Sequence, residues 1–147
     1  MFNERVRRMM AGERLMTATP RTSVRDAARM MADAGGGVVL VMDGERLAGI
    51  FTSRDAAMRV LAAGRDASQT SLADVMTGSP ITVGPDQPFG YALQLMQAHG
   101  VRHLPVVENG RPVGVVTTRN ALDPELEDFS CEAVRREGFR TPERTAN

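Results

Sequence analysis

The chain has 147 residues, of which 42% are hydrophobic, and its 18 basic residues balance its 18 acidic residues. This length and apolar content are sufficient for one compact domain with a core, and zero net charge excludes a molecule-wide field that would recruit nucleic acid or acidic lipid. The single Cys131 excludes an intramolecular disulfide, and with only two histidines it forms no cluster at metal-ligand spacing. We therefore predict a reduced interior without a metal site.

The amino-terminal residues, MFNERVRRMM, alternate apolar residues with charges and so differ from the apolar stretch of a signal peptide. The longest apolar run, Val38 to Met42, is far shorter than the roughly 18 residues needed to cross a bilayer. We expect a cytoplasmic protein that does not bind a membrane.

The first half of the chain contains a predicted β-α-β-β-α unit preceded by a lead-in helix. Periodicity and turn residues place its elements at helix Glu4 to Met10, strand Arg14 to Thr19, a helix from Ser23 to the glycines at 35–37, strands Val38 to Met42 and Arg46 to Phe51, and helix Thr52 to Leu61. Ser23 and Asp26 have capping-box spacing, and Asp43-Gly44 is a hairpin turn signal. The helix after Ser23 has an apolar stripe, which predicts that one face lies against a core: Val24, Ala27, Ala28 and Met31.

The second half repeats this order. Its predicted elements are a lead-in helix Ser71 to Met76, strand Pro80 to Val83, helix Asp86 to Ala98, strands His103 to Val107 and Arg111 to Val116 around an Asn109-Gly110 turn, and a short helix from Thr117. The helix carries the corresponding apolar stripe of Phe89, Ala92, Leu93 and Met96.

The two halves match at a constant spacing of 65 residues, which relates Thr52 and Asp55 to Thr117 and Asn120. Further pairs are Thr17 and Thr82, Pro20 and Pro85, Ala27 and Ala92, Met31 and Met96, Gly35 and Gly100, Gly49 and Gly114, and Arg54 and Arg119. One shift without a gap indicates two copies of one unit, and a unit this small buries its apolar faces against its twin. We predict an α+β protein with repeat 1 at residues 1–66 and repeat 2 at residues 67–122.

Residues 123–147 belong to neither copy. Asp123-Pro124-Glu125 is typical of a helix start and Arg135-Arg136 of a helix end, so we predict a helix from about Pro124 to Glu137 followed by a frayed tail. Cys131 has no histidine nearby in the repeat architecture, which argues against a nucleophile.

Four segments carry a resemblance to a known family: GIFTSRD (49–55), GVVTTRN (114–120), DVMTGSPITV (74–83) and GVRHLPVVENGRPVG (100–114). They resemble cystathionine-β-synthase (CBS) domains, and the resemblance covers nearly everything from Met10 to Leu122. It implies two β-α-β-β-α repeats packed as a pseudo-twofold pair, with modules that associate as homodimers. It also implies a regulatory module of the bacterial stand-alone type that binds an adenosyl ligand between its repeats (AMP, ADP, ATP, NAD or S-adenosylmethionine) and acts on a partner protein, with no catalytic cofactor.

The chemistry of the predicted site follows from Thr52 and Asp55. Thr52 lies where a strand passes into a helix, so its hydroxyl and the first helical N–H groups suit sugar hydroxyls or phosphate. An ionised carboxylate accepts two hydrogen bonds, which matches the 2′ and 3′ hydroxyls of a ribose. We therefore predict that Asp55 recognises ribose.

The other predicted ligand-binding residues come partly from the resemblance, which implies that the first strand of each copy holds the base. These are Met16 and Thr17 in copy one and Ile81 and Thr82 in copy two. Val38 and His103 are predicted to line the clefts, the candidate phosphate ligands are Arg54, Arg102, His103 and Arg119, and Thr117 and Asn120 complete the second site. Asn120 lacks the charge of Asp55, and Gly35 to Gly37 lack the arginine of copy two, so we expect the Asp55 cleft to dominate and to prefer a nucleoside to a triphosphate.

Two readings remain open beside this one. Thr52 and Asp55 also have the spacing of an ordinary capping box, which needs no ligand, and the module is then a dimeric interaction scaffold. Binding of nucleic acid through the arginine-rich start is disfavoured by the neutral charge and by an aromatic content of 4%. An enzyme is disfavoured because the sequence contains no set of nucleophile, base and orienting residue.

Overall fold

The computed structural model describes residues 2–10 and 15–121. Residues 123–147, with the predicted helix from Pro124 to Glu137, lie outside the described residues, as does Arg14 at the start of the first predicted strand. The domain boundaries at 66 and 122 therefore stay predictions.

Both halves contain the expected mixture of helices and strands, which confirms the α+β class. In chain order the elements are helix α1 Val6–Met9, strand β1 Thr17–Ala18, helix α2 Val24–Ala34, strands β2 Val38–Asp43 and β3 Arg46–Thr52, helix α3 Ser53–Asp55 with the π-helix Ala56–Leu61, helix α4 Leu72–Val75, strand β4 Thr77–Gly78, helix α5 Phe89–His99, strands β5 His103–Glu108 and β6 Arg111–Thr117, and the 3₁₀ helix Thr118–Ala121.

Helix α2 forms where its end signals predict. The Ser23 hydroxyl accepts a hydrogen bond from the N–H of Asp26 at 3.1 Å, and Gly35 ends the helix in the left-handed conformation with φ of 69°. Its buried side chains are Val24, Ala27 and Met31, whereas the predicted fourth stripe residue, Ala28, is exposed. The apolar face therefore differs from the predicted stripe, since Met30 and not Ala28 packs against the first core beside these residues.

The two hairpins share one plan. Strands β2 and β3 pair antiparallel with a bulge after Val41, and β5 and β6 pair antiparallel with a bulge after Val106, at the matching position of the repeat. Their turns differ, because both central residues of the second turn, Asn109 and Gly110, have positive φ, whereas of the central residues Gly44 and Glu45 in the first turn only Gly44 does so. The first turn thus has its glycine at the first central position, as in a type II′ turn, and the second is of the I′ kind.

Each lead-in helix packs against the repeat that it does not precede. Val6 of α1 belongs to the core of the second repeat with Phe89 and Met96, while Leu72 and Val75 of α4 belong to the core of the first. Backbone bonds support both contacts, since Val6 N–H donates to Gln87 O at 2.9 Å and Leu72 N–H donates to Thr22 O at 2.9 Å. The two repeats are therefore interlocked.

A tight turn leads from the first repeat into α4. The Asp66 carboxylate accepts hydrogen bonds from the Ser68 hydroxyl at 2.6 Å and from the Ser68 N–H at 2.9 Å, which lowers the pKa of Asp66. The Thr70 hydroxyl donates to Asp66 O at 2.7 Å, and Thr70 O accepts from Val24 N–H at 2.9 Å. The connection is thus tied to the start of α2.

Two elements of the second repeat differ from the prediction. The helix predicted from Asp86 begins at Phe89, because Gly84 N–H donates to the Gln87 side chain at 2.7 Å and closes a turn before the helix. The prediction of a strand from Pro80 to Val83 is wrong. Among these four residues only Val83 pairs, through a single β-bridge to Val106. Pro80 lacks the N–H that a ladder requires.

Strand β4 was not predicted, and it extends the first sheet to the order β1-β2-β3-β4. Thr77 and Gly78 are too short a segment to show strand periodicity, and they pair antiparallel with Ile50 and Gly49 of β3. The chain entering the second repeat is therefore attached to the sheet of the first.

Candidate functional site

Thr52 and Asp55 form a complete capping box at the point where β3 passes into α3. The Thr52 hydroxyl accepts from Asp55 N–H at 3.2 Å, and Asp55 Oδ2 accepts from Thr52 N–H at 3.0 Å. The structural role that the spacing predicts is therefore present without any ligand.

Capping leaves part of the Asp55 carboxylate available. The side chain is 16% exposed, and its second oxygen, Oδ1, lies 3.7 Å from Nε of Arg59. Since an ionised carboxylate has about four acceptor positions and one is occupied by the Thr52 N–H, a ribose hydroxyl can still be accepted. The capping role and the binding role are compatible.

The remaining residues predicted for the first site lie around the open end of the first hairpin. Val38 pairs with Thr52 across β2 and β3, and Thr17 pairs with Leu40 on the other side of β2. Leu40 N–H donates to Met16 O at 2.9 Å, and the Met16 methyl lies 3.0 Å from the position that a Cβ would take at Gly36. One end of the first hairpin therefore brings together three features. They are the first strand, the loop Gly35 to Gly37, and the N-terminal end of α3, called the helix mouth below.

The second repeat brings together the predicted residues of its hairpin and of the helical turn that follows in the same way. His103 pairs with Thr117 across β5 and β6, and Thr118 N–H donates to Arg102 O at 3.2 Å. Asn120 Oδ1 accepts from Thr117 N–H at 2.7 Å, so the amide oxygen replaces the carboxylate of the first repeat as the cap. Ile81 contacts the second core and Thr82 is exposed beside it.

The two sites differ in exposure and in helix geometry. Asp55 is partly exposed, whereas Asn120 is buried at 8% exposure. The Thr117 hydroxyl accepts from Arg119 N–H, two residues on, at 3.2 Å, as suits the 3₁₀ turn that follows it. The first site therefore has the more accessible oxygen as well as the charge.

The predicted phosphate ligands lie at the rim. Arg54, Arg102 and Arg119 are exposed, and His103 is partly buried at the start of β5. Gly37 O accepts from Ser53 N–H at 2.9 Å, so the glycine loop lies directly against the mouth of α3. Arg54, the residue after Ser53, is therefore close to the loop Gly35 to Gly37. This is the loop that has no arginine in copy one.

Sequence reasoning missed Arg59. Its Nη1 donates to Val75 O at 3.1 Å and to Met76 O at 3.2 Å, while its Nε faces the Asp55 carboxylate. A signal was present in the sequence, since an acid followed four residues later by an arginine is a favourable pair on a helix.

Other features of the described residues lie apart from these sites. A groove of about 600 Å³ lies between the amino-terminal residues and α5, and it is lined by Phe2, Asn3, Pro88, Gly90, Tyr91, Leu93, Gln94 and Gln97. Within residues 2–10 and 15–121, no three His, Cys, Asp or Glu side chains are grouped so as to hold a metal ion. No helix in the same part of the chain has the length and apolarity to cross a membrane.

The structure consists of two interlocked repeats, and in each the hairpin passes into a helical turn whose start is capped by a side chain. This arrangement defines a tandem repeat module of a known class. The model of the CBS domain family matches residues 6–62 and 72–124. The chain belongs to the CBS domain family, as a tandem pair, which confirms the resemblance seen in its motifs.

Individual relatives include stand-alone proteins and larger ones. The chain is 36% identical over 141 residues to the YlbB protein of Bacillus subtilis, covering 85% of this chain and 95% of that protein. It is 44% identical over 100 residues to the meiotically up-regulated gene 70 protein of Schizosaccharomyces pombe, covering 67% of this chain but only 14% of that protein. The chain thus spans a small part of this second relative.

The structural comparison includes a ligand complex. The CBS domain pair of protein MJ0100, solved with 5′-methylthioadenosine and S-adenosyl-L-methionine, superimposes with a TM-score of 0.73 and 26% identity, covering 80% of this chain and 96% of that chain. Both ligands of that protein contain an adenosine.

Proposed function

We propose that this protein is a regulatory module that binds an adenosyl ligand at its first repeat and transmits occupancy to a partner protein, without catalysing a reaction. The observation that carries the proposal is the Asp55 carboxylate, which the capping box holds in one orientation at the helix mouth while it stays partly exposed. A preorganised acceptor of this kind binds a diol without losing further side-chain entropy.

Ribose recognition by Asp55 is the specific element of the proposal. Hydrogen bonds to a charged group contribute roughly 1.5 to 3 kcal/mol each, about twice the contribution of neutral ones. Met16, Thr17 and Val38 surround the same hairpin end and provide backbone groups and apolar surface for the base. The adenosine shared by the two ligands of the MJ0100 pair supports this class of ligand.

The second repeat supplies a weaker site in this proposal. Ile81, Thr82, His103, Thr117 and Asn120 repeat the constellation with an amide in place of the carboxylate. Arg54, Arg102, His103 and Arg119 serve as rim contacts for phosphate where a nucleotide binds. A homodimer, a cytoplasmic location and an action through contact with a regulated protein belong to the same proposal.

The second candidate function is a dimeric scaffold without a ligand, and two observations favour it. The complete capping box accounts for Thr52 and Asp55 on structural grounds alone. The helix after Asp55 also presents large apolar side chains to solvent, with Met58 exposed at 62% and Leu61 at 76%. Such a surface suits a second copy of the chain.

A melting screen with AMP, ADP, ATP, NAD and S-adenosylmethionine separates the two functions. A bound ligand at about 100 times its dissociation constant stabilises the protein by roughly 2.7 kcal/mol, so we expect a clear rise in Tm for at least one compound. Asp55→Asn should keep the cap, as Asn120 does, and weaken the ligand about tenfold, because a charge-assisted bond becomes a neutral one.

The reverse exchange in the second repeat is the matched control. Asn120→Asp places a carboxylate at the corresponding position and should strengthen binding or leave it unchanged. If Asp55→Asn shows the full ligand-induced shift of the natural protein, the assignment of ribose recognition is wrong. A natural protein whose Tm responds to none of the compounds favours the scaffold.

A further inference from the structure

Arg59 connects the candidate ribose carboxylate to a different part of the chain. Its Nε lies 3.7 Å from Asp55 Oδ1, and its Nη1 donates to Val75 O at 3.1 Å and to Met76 O at 3.2 Å. Those carbonyls end α4, whose last carbonyl groups lack partners within the helix and attract a cation.

These carbonyl bonds fix the guanidinium before any ligand arrives. A free arginine loses about 2 kcal/mol of rotamer entropy when it is held in one place. In this structure the two bonds to the end of α4 hold the group, and Arg59 lies in the π-helix Ala56–Leu61, four residues after Asp55. The arginine therefore adds a positive charge beside the carboxylate at little further entropic cost on ligand binding.

The Asp55–Arg59 attraction depends on how much water surrounds it. At 3.7 Å the contact is an ion pair and not a hydrogen bond, and Arg59 is 48% exposed, so solvent screens the pair in the free protein. A ligand over Asp55 excludes water and lowers the local dielectric, which strengthens the attraction. An interaction that is stronger in the complex than in the free protein contributes to affinity.

Arg59 competes only weakly with the ribose for Asp55 Oδ1, because of the distance between the two charged groups. An oxygen at 3.7 Å from the nearest guanidinium nitrogen keeps its lone-pair positions for a hydroxyl donor. Without the cation, a bound ligand would cover Asp55 as an unpaired charge, and this costs binding free energy.

We propose that Arg59 is a positioning residue that raises the affinity of the first site for a ribose-containing ligand by keeping the covered Asp55 carboxylate paired. This inference rests on the proposed function. It also makes the two sites unequal, because Asn120, the counterpart of Asp55, carries no charge that a cation could pair.

The test measures the dissociation constant of the ligand that gives the largest shift in the melting screen, by isothermal titration of the full chain. Arg59→Met keeps the apolar stem and should weaken binding about tenfold. Arg59→Lys keeps the charge and should recover most of the affinity. Val41→Ala, in the first core and away from the carboxylate, lowers stability without touching the pair and should leave the dissociation constant unchanged.

A double-mutant cycle separates positioning from a merely structural role. In the Asp55→Asn background the Arg59→Met change should have no further effect on affinity, since no charge remains to be paired. The proposal is overturned if Arg59→Met binds like the natural protein, or if it weakens binding equally in both backgrounds. Failure of the natural protein to bind any adenosyl compound overturns the proposed function itself, and that result is seen before any Arg59 variant is made.

Discussion

Val6→Asp should destabilise the protein by about 3 to 5 kcal/mol, because it leaves an unpaired charge in a closed apolar site. Val6 is fully buried in the second core against Phe89 and Met96, although it lies at the start of the chain. The expected result is a large fall in the urea midpoint. Because the chain has one tyrosine and no tryptophan, Tyr91 on α5 provides a fluorescence signal from the second repeat.

The control for Val6 lies on the same helix turn. Arg8 is exposed, and among the described residues its side chain pairs only with Glu4, so Arg8→Ala should change the free energy of unfolding by less than about 1 kcal/mol. Equal effects of the two substitutions, or a small effect of Val6→Asp on the Tyr91 transition, would contradict the exchange of lead-in helices between repeats.

Gly49→Ala should cost about 2 to 3 kcal/mol, near the upper end for overpacking a filled core. A Cβ at Gly49 would lie 2.5 Å from Met76 Sδ and 2.8 Å from the backbone oxygen of Thr77. The sulfur can rotate away, but the Thr77 carbonyl belongs to β4, which pairs with β3 at this residue. Relief of the overlap therefore requires β4 to move, and chemical denaturation measures the cost.

The repeat provides an internal control for this prediction. A Cβ at Gly114, the counterpart of Gly49, would lie 2.6 Å from Met10 Sδ, with no backbone atom among its three nearest neighbours. A flexible methionine side chain can shift, so Gly114→Ala should cost about 1 kcal/mol or less. A larger loss at Gly114 than at Gly49 would show that the methionine, and not the backbone of β4, limits the space.

Local signals in the sequence were sufficient for much of the fold and for the outline of the site. Helix α2 begins after Ser23 and ends at Gly35, and both hairpins form between the predicted strands. These features could be predicted because they depend on residues a few positions apart. The Thr52–Asp55 spacing likewise predicted a capping box that the structure contains. Its role in ribose recognition stays a prediction, since a cap and a ligand site require the same residues.

Tertiary structure alone decided which core each lead-in helix completes and what lies behind Asp55. The segments around Val6 and Leu72 have similar short apolar patterns, so either core suits either helix, and only the path of the chain through space selects between them. Arg59 reaches Val75 and Met76 because α4 packs on the first repeat, a contact that no local periodicity encodes. Sequence thus determined the two repeats and their polar ends, whereas the interlocking of the repeats determined the surroundings of the carboxylate.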